Sequence, residues 1–143
     1  MSRILRDYEV PGNDFSRAGE ASGHIKSICK ELGFSPEIIR RVAITTYEAE
    51  INMVIHAGGG RVHAEISPES IVVAFTDSGP GIPDLELAMQ AGWSTATQQI
   101  RDMGFGAGMG LPNIRKYSDK LDIQTEVGRG TCLTVSVFAD RKE

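Results

Sequence analysis

Glu48 and Asn52 stand four residues apart in the stretch "YEAEINMVIHAGGG" (47–60). On a helix that spacing puts both side chains on one side, a turn apart. An Asn side-chain oxygen is a ligand of the kind Mg²⁺ takes together with phosphates and water. A Glu one turn away could accept a proton from a nucleophile. The ordinary reading of such a pair is a solvated helix face. Against it, Asn52 is the only polar residue between Glu50 and His56, and the helix there is apolar nearly all round. Thr45 and His56 fall near the pair.

Asp77 closes the apolar run "VVAFTD". A carboxylate there either caps the following turn or accepts a hydrogen bond from the exocyclic amine of a base. When ionised it accepts and does not donate, which favours the N6 amine of adenine over the O6 of guanine.

Three glycine-rich loops follow: "DSGPG" (77–81), "GFGAGMG" (104–110) and "GRGT" (128–131). Glycine lets a ligand approach the backbone closely. Gly108 and Gly110 lie directly before Pro112, a residue suited to a first helical turn. Backbone N–H groups ahead of a helix make an anion site, and a phosphate is the natural guest. Any one loop read alone is equally a turn, and "GRGT" reads as a hairpin connection. Neither "GxxxxGK[ST]" nor a well-fitting dinucleotide "GxGxxG" is present.

Elements must hold these groups in place. Residues 4–10 alternate as a strand. Residues 15–33 read as a helix, with Asn13 or Asp14 as its cap and Gly33 as its stop. Ser35 and Pro36 open a helix that runs to about Ala57, with an apolar stripe of Ile39, Val42, Ala43, Tyr47, Ile51 and Val54. Residues 61–67 and 70–76 are strands joined by a tight turn at "PE". A short helix is expected over 85–91, and 92–109 lack clear periodicity. Residues 111–119 read as a helix. "KLDIQTEV" and "TCLTVSVFA" form a hairpin around "GRG", and "DRKE" is a solvated tail. The order predicts an α+β fold: a two-layer sandwich with one mixed, mainly antiparallel sheet and helices on one face.

At 143 residues, one domain is expected. The formal net charge of −4 argues against nucleic acid and against a membrane-surface patch. Cys29 and Cys132 are expected as reduced thiols, and no Cys/His spacing suggests zinc. No apolar run is long enough to span a bilayer. The start has no signal-peptide pattern, so a cytoplasmic protein is expected.

Taken in order, the motifs resemble the ATP-binding domain shared by gyrase, Hsp90-type chaperones, histidine kinases and mismatch-repair ATPases, the GHKL superfamily. "EAEIN" (48–52) is similar to its N-box. "DSGPG", "GFGAGMG" and "GRGT" are similar to its three glycine boxes. The resemblance covers about residues 35–138. Within it, "EAEINMVIHAGGG" and "GFGAGMGLPNIRK" resemble the small serine/threonine kinases of bacterial partner switching, anti-sigma factors included.

The resemblance implies a role for each matching residue. Glu48 would be the catalytic base and Asn52 the Mg²⁺ ligand. Asp77 would read adenine, with Gly79 and Gly81 shaping its pocket. Gly108, Met109 and Gly110 would offer amides to the phosphates of ATP. Thr131 would support the Asp77–adenine contact, and 92–107 would form a lid. Met53 departs from the pattern, because a small residue often follows the Asn. The implied partners are a STAS-type anti-anti-sigma protein, a sigma factor and a second copy of the chain. An ATP-controlled module that sequesters a partner without transfer, or an ATPase subunit of a larger assembly, remains an alternative.

Overall fold

A computed structural model of the protein describes residues 3–12, 15–82, 89 and 110–139. Strand β1 (Ile4–Pro11) is followed by a 3-10 turn at Phe15–Arg17, helix α1 (Glu20–Glu31) and helix α2 (Pro36–Ala57). Strands β2 (Gly59–Ile66) and β3 (Ser70–Thr76) come next. Helix α3 (Gly110–Tyr117) and strands β4 (Lys120–Glu126) and β5 (Gly130–Phe138) complete the described elements. The expected helix over 85–91, the segment 92–107 and the tail lie outside the described residues. Met89 alone is described there, and it packs against the core.

The five strands form one sheet in the order β1-β2-β3-β5-β4. All four pairings are antiparallel, so the sheet described is wholly antiparallel rather than mixed. Helix α2 crosses it, touching β1, β2, β3 and β5, with α1 and α3 both packed against α2. The inner sheet face buries Val62, Ala64, Ile66, Ile71, Val73, Phe75, Leu133, Val135 and Val137. Alternation then puts Asp7, His63, Ala74, Thr134 and Asp122 in one row on the other face. That face is polar at its margins and small in its middle.

Helix α2 has the bounds its punctuation requires. The Ser35 side chain accepts from the Ile38 amide at 3.3 Å, and Pro36 occupies the first turn. Gly58 takes the left-handed conformation that ends it. Gly59 and Gly60 belong to β2 rather than to the stop. The β2–β3 connection is a two-residue turn, with the Ser67 and Ser70 backbones bonded to each other in both directions.

Three expectations need correction. The buried positions of α2 are Ile38, Val42, Thr45, Thr46, Ala49, Glu50, Ile51, Met53 and Val54. Tyr47, placed in the apolar stripe, is 40% exposed. Thr45 turns inward, its hydroxyl donating to the Arg41 carbonyl at 2.8 Å, so it does not join Glu48 and Asn52. The helix expected over 15–33 is likewise interrupted, and its α-helical part starts at Glu20 behind Gly19.

Gly19 has no side chain to cap α1, and the acceptor comes from α2. Glu50, 1% exposed, takes the amides of Gly19 and Ala21 on Oε2 at 3.0 and 3.3 Å. It takes that of Ser22 on Oε1 at 2.9 Å. Three orphan amides and the helix dipole make this end a fit host for a buried carboxylate.

The two thiols are free. Cys29 is fully buried beside α2, and burial pushes its thiol up to about 11. Cys132 lies half-exposed on the outer sheet face, where the Thr76 hydroxyl donates to its sulfur at 3.6 Å.

Candidate nucleotide site

Helices α2 and α3 build one wall. Three contacts join them in order. Asn52 backs onto Gly110, where an added Cβ would lie 3.2 Å from both Asn52 amide atoms. Asn113 stands on the side of α3 toward Glu48, whose carboxyl it holds down against the effect of burial. The Arg41 Nε donates to the Tyr117 carbonyl at 3.0 Å. Positions fall on α2 as they rise on α3, so the helices run antiparallel. The far end is tied down further, because the Arg41 guanidinium pairs with Asp119 at 3.0 Å, both largely buried.

Leu111 and Ile114 bury the inner face of α3 and fix its rotation. Gly110 therefore begins the helix directly against Asn52. This is the geometry for an oxygen ligand beside an anion site: a single Asn oxygen, half-buried, with space at Gly110 that no side chain fills. Mg²⁺ held by one protein oxygen and completed by phosphates and water suits that donor set. No cluster of three or more His, Cys, Asp or Glu able to hold a metal exists among the described residues.

Glu48 is half-buried, and burial raises its carboxyl above the usual carboxylate range, opposed by Asn113. Desolvation moves a carboxyl toward the value a general base needs near neutral pH. His56, two turns further on, is lowered by burial and is neutral at pH 7.

The second wall is the loop after β3. The Asp77 amide donates to the Thr131 carbonyl at 2.9 Å. Its Oδ1 accepts from the amides of Gly79 at 2.9 Å and Thr131 at 3.2 Å. Both readings of Asp77 thus have room: one oxygen organises the turn, and no described residue donates to the other. Gly79 lies flat on the end of α2, where a Cβ would come within 2.7 Å of Ala57. Gly81 has φ +80 and abuts the Glu126 carbonyl, a conformation few other residues adopt. The Thr131 hydroxyl pairs with that of Thr125 at 2.9 Å, so its support of Asp77 runs through its backbone amide.

Met53, the departure from the family pattern, is 3% exposed. Its sulfur lies 2.6 Å from where a Gly60 Cβ would stand. The missing side chain at Gly60 makes room for the longer one at Met53, beneath the Asp77 loop.

The structure thus brings Glu48, Asn52 and Gly110 together on one wall, and Asp77, Gly79, Gly81 and Thr131 on the other. Gly108 and Met109 lie outside the described residues. Asn113 was not anticipated. Its signal lay only in its position, one turn beyond Gly110, as Glu48 is one turn before Asn52.

Residues 38–141 match the family of histidine kinase-, DNA gyrase B- and HSP90-like ATPases. The chain belongs to that family and is an ATP-binding domain. It is 29% identical over 110 residues to the serine/threonine-protein kinase RsbT of Bacillus subtilis, covering 74% of this chain and 77% of that one. It is 33% identical over 114 residues to an anti-sigma F factor of Pasteuria penetrans, covering 75% and 73%. Among solved structures, the RsbU and RsbW domains of a Mycobacterium tuberculosis protein align with a TM-score of 0.62 at 13% identity, over 99% of this chain and 34% of that one. The mycobacterial sensor histidine kinase MprB aligns at 0.53 and 14% identity, over 97% and 100%. At these identities the structural likeness shows the fold. No helix among the described residues is long and apolar enough to cross a membrane.

Proposed function

We propose that the protein is a Mg·ATP-dependent serine/threonine kinase of a bacterial partner-switching system. Its phosphate acceptor is a STAS-type anti-anti-sigma protein, and it also acts as an anti-sigma factor. A sigma factor and a second copy of the chain are the further partners of this reading, and the cytoplasm is its compartment. The relatives named kinase RsbT and anti-sigma F factor support it. The observation that carries it is the pairing of a half-buried Glu48 with Asn52 against the start of α3.

Asp77 accepts the adenine N6 amine, while Gly79 and Gly81 keep the loop low enough for the ring to approach. The amides at Gly108, Met109 and Gly110 receive phosphate oxygens. Asn52 would hold Mg²⁺, which would supply neutralisation of charge on the phosphates. Glu48 takes the proton from the attacking hydroxyl as the bond to the γ-phosphorus forms and the bond to the ADP oxygen breaks. Positioning does most of the work in such transfers.

The test is transfer of labelled γ-phosphate to candidate STAS-domain proteins. Labelling of a serine or threonine, abolished in Glu48→Gln while ATP is still bound, is the expected result. Tight ATP binding with no transfer to any candidate would overturn the kinase reading and leave an ATP-controlled binding module.

A further inference from the structure

We infer that Thr125 is a positioning residue at the base-binding end of the site: its hydroxyl, fixed by the Ile82 amide, donates to Thr131 and turns the Thr131 hydrogen toward the ring nitrogen beside the adenine amine. This rests on the reading of Asp77 as the residue that meets adenine. The hydroxyl pair itself does not depend on that reading.

The sheet sets the residues in line. Thr125 of β4 stands opposite Thr131 of β5. Strand β3 pairs Thr76 with Cys132, and the Asp77 amide continues that register by donating to the Thr131 carbonyl at 2.9 Å. Asp77, Thr131 and Thr125 are therefore neighbours across three strands. Counting by twos from Phe75, Leu133 and Ile123, all packed in the core, puts the three on the inner face, toward the helices.

The distances direct the protons. The Thr125 oxygen accepts from the Ile82 amide at 2.8 Å. Its one hydrogen has two acceptors in reach, the Thr131 oxygen at 2.9 Å and the Gly130 carbonyl at 3.4 Å. Hydroxyl bonds cluster at about 2.7–2.8 Å, so the nearer oxygen takes it. The Thr131 hydrogen is then left over, and no described residue accepts it.

Asp77 has an oxygen to which no described residue donates. An unfilled acceptor and an unfilled donor thus stand side by side on adjacent strands. Adenine presents the opposite pair on one edge, an N6 amine that donates and an adjoining N1 that accepts. Guanine is reversed at both places. A threonine hydroxyl alone rotates to suit its surroundings. One that accepts a hydrogen bond is held in direction and is the stronger donor. Strand β4 itself does not call for a hydroxyl at 125, because valine has a similar shape and suits a strand as well.

The experiment compares ATP with 1-deaza-ATP, in which a C–H replaces N1, by calorimetry on the full chain with Mg²⁺. The unaltered chain is expected to bind ATP more tightly by roughly twofold to tenfold, the worth of one hydrogen bond between neutral groups. In Thr125→Val that gap is expected to close toward unity, and in Thr125→Ser to stay open. Thr131→Val, which leaves the Thr125 bond to Ile82 in place, is expected to close it as well. Amide exchange at Ile82, followed by NMR without nucleotide, should quicken in Thr125→Val and not in Thr125→Ser. Circular dichroism checks that each variant is folded.

A gap that persists in Thr125→Val overturns the inference, and an equal loss of affinity for both nucleotides marks Thr125 as a structural residue of the loop. A gap that widens there overturns it too, because Thr131 then donates to Thr125 and is released by its loss. So does a gap that survives Thr131→Val, or equal binding of the two nucleotides by the unaltered chain. Binding of neither strikes the site reading with it. No phosphate acceptor is used, so failure of the kinase reading stays separate. Failure of Asp77 to meet adenine would show as full ATP affinity in Asp77→Asn, whatever the gap does in Thr125→Val.

Discussion

Asp77 and Thr131 hold each other twice, backbone amide to carbonyl in one direction and backbone amide to Oδ1 in the other. The turn after β3 and the start of β5 are thereby one unit. The oxygen that organises the turn is Oδ1, and no described residue donates to the other.

Replacement of Asp77 by Asn separates the two roles. The amide oxygen can still accept from Gly79 and Thr131, so the fold persists. Its NH₂ then stands where the second carboxylate oxygen was, opposing the donor on adenine. A charged hydrogen bond lost in this way is worth about 1.5–3 kcal/mol. ATP affinity should therefore fall by roughly tenfold to a hundredfold or more, with little change in urea unfolding. Calorimetry on the mutant would settle it, and retention of full affinity would remove Asp77 from base recognition.

Glu48→Gln should separate catalysis from stability. Phosphotransfer falls by about two to four orders of magnitude, while ATP affinity is kept. The sign of the stability effect follows from the raised carboxyl. A raised folded-state value gives a contribution that is fully present below the unfolded value near 4.3 and lost as pH rises through the folded one. Above that range the native protein bears the cost of a partly desolvated charge, which Gln removes. The variant should be slightly more stable at neutral pH, by less than about 1 kcal/mol because the carboxylate still meets solvent. At low pH the gain should vanish. Urea unfolding at pH 4 and pH 8 would show the difference.

Two residues away, Glu50→Ala should act in the opposite sense. It strips the acceptor from three amides at the start of α1 and leaves a gap in a buried wall. A loss of roughly 2–4 kcal/mol is expected, with ATP affinity unchanged for whatever protein remains folded. Amide exchange should rise first at Gly19, Ala21 and Ser22. Continued protection there would mean that another group caps the helix.

The sequence was most readable where the signals are local. Ser35, Pro36 and Gly58 bracket α2 through contacts within a few residues, and strand alternation marked both hairpins. The start of α1 was not readable, because its cap is donated by a residue about thirty positions away. For the same reason a buried Glu50 ran against the hydrophobic pattern, while Tyr47 satisfied the pattern and yet faces solvent. In the site, the helical spacing of Glu48 and Asn52 and the place of Asp77 at a strand end could be seen directly. Asn113 could not, since only the antiparallel docking of α3 brings "LPNIR" to Glu48. The bulk of Met53 is accommodated by the missing side chain of Gly60, a pairing of α2 with β2 that no local signal announces.

The contrast between the two thiols makes the chain ready for a fluorescent reporter without any substitution. Cys29 is buried, with its thiol pushed up to about 11, so it should resist alkylation under mild conditions. Cys132 is reachable from solvent and is the next residue in the chain after Thr131. A dye attached there would sit on the outer side of the strand whose first residues grip the Asp77 loop. Its emission would follow the arrival of a nucleotide from the reverse side of the sheet, with no part of the label in the pocket.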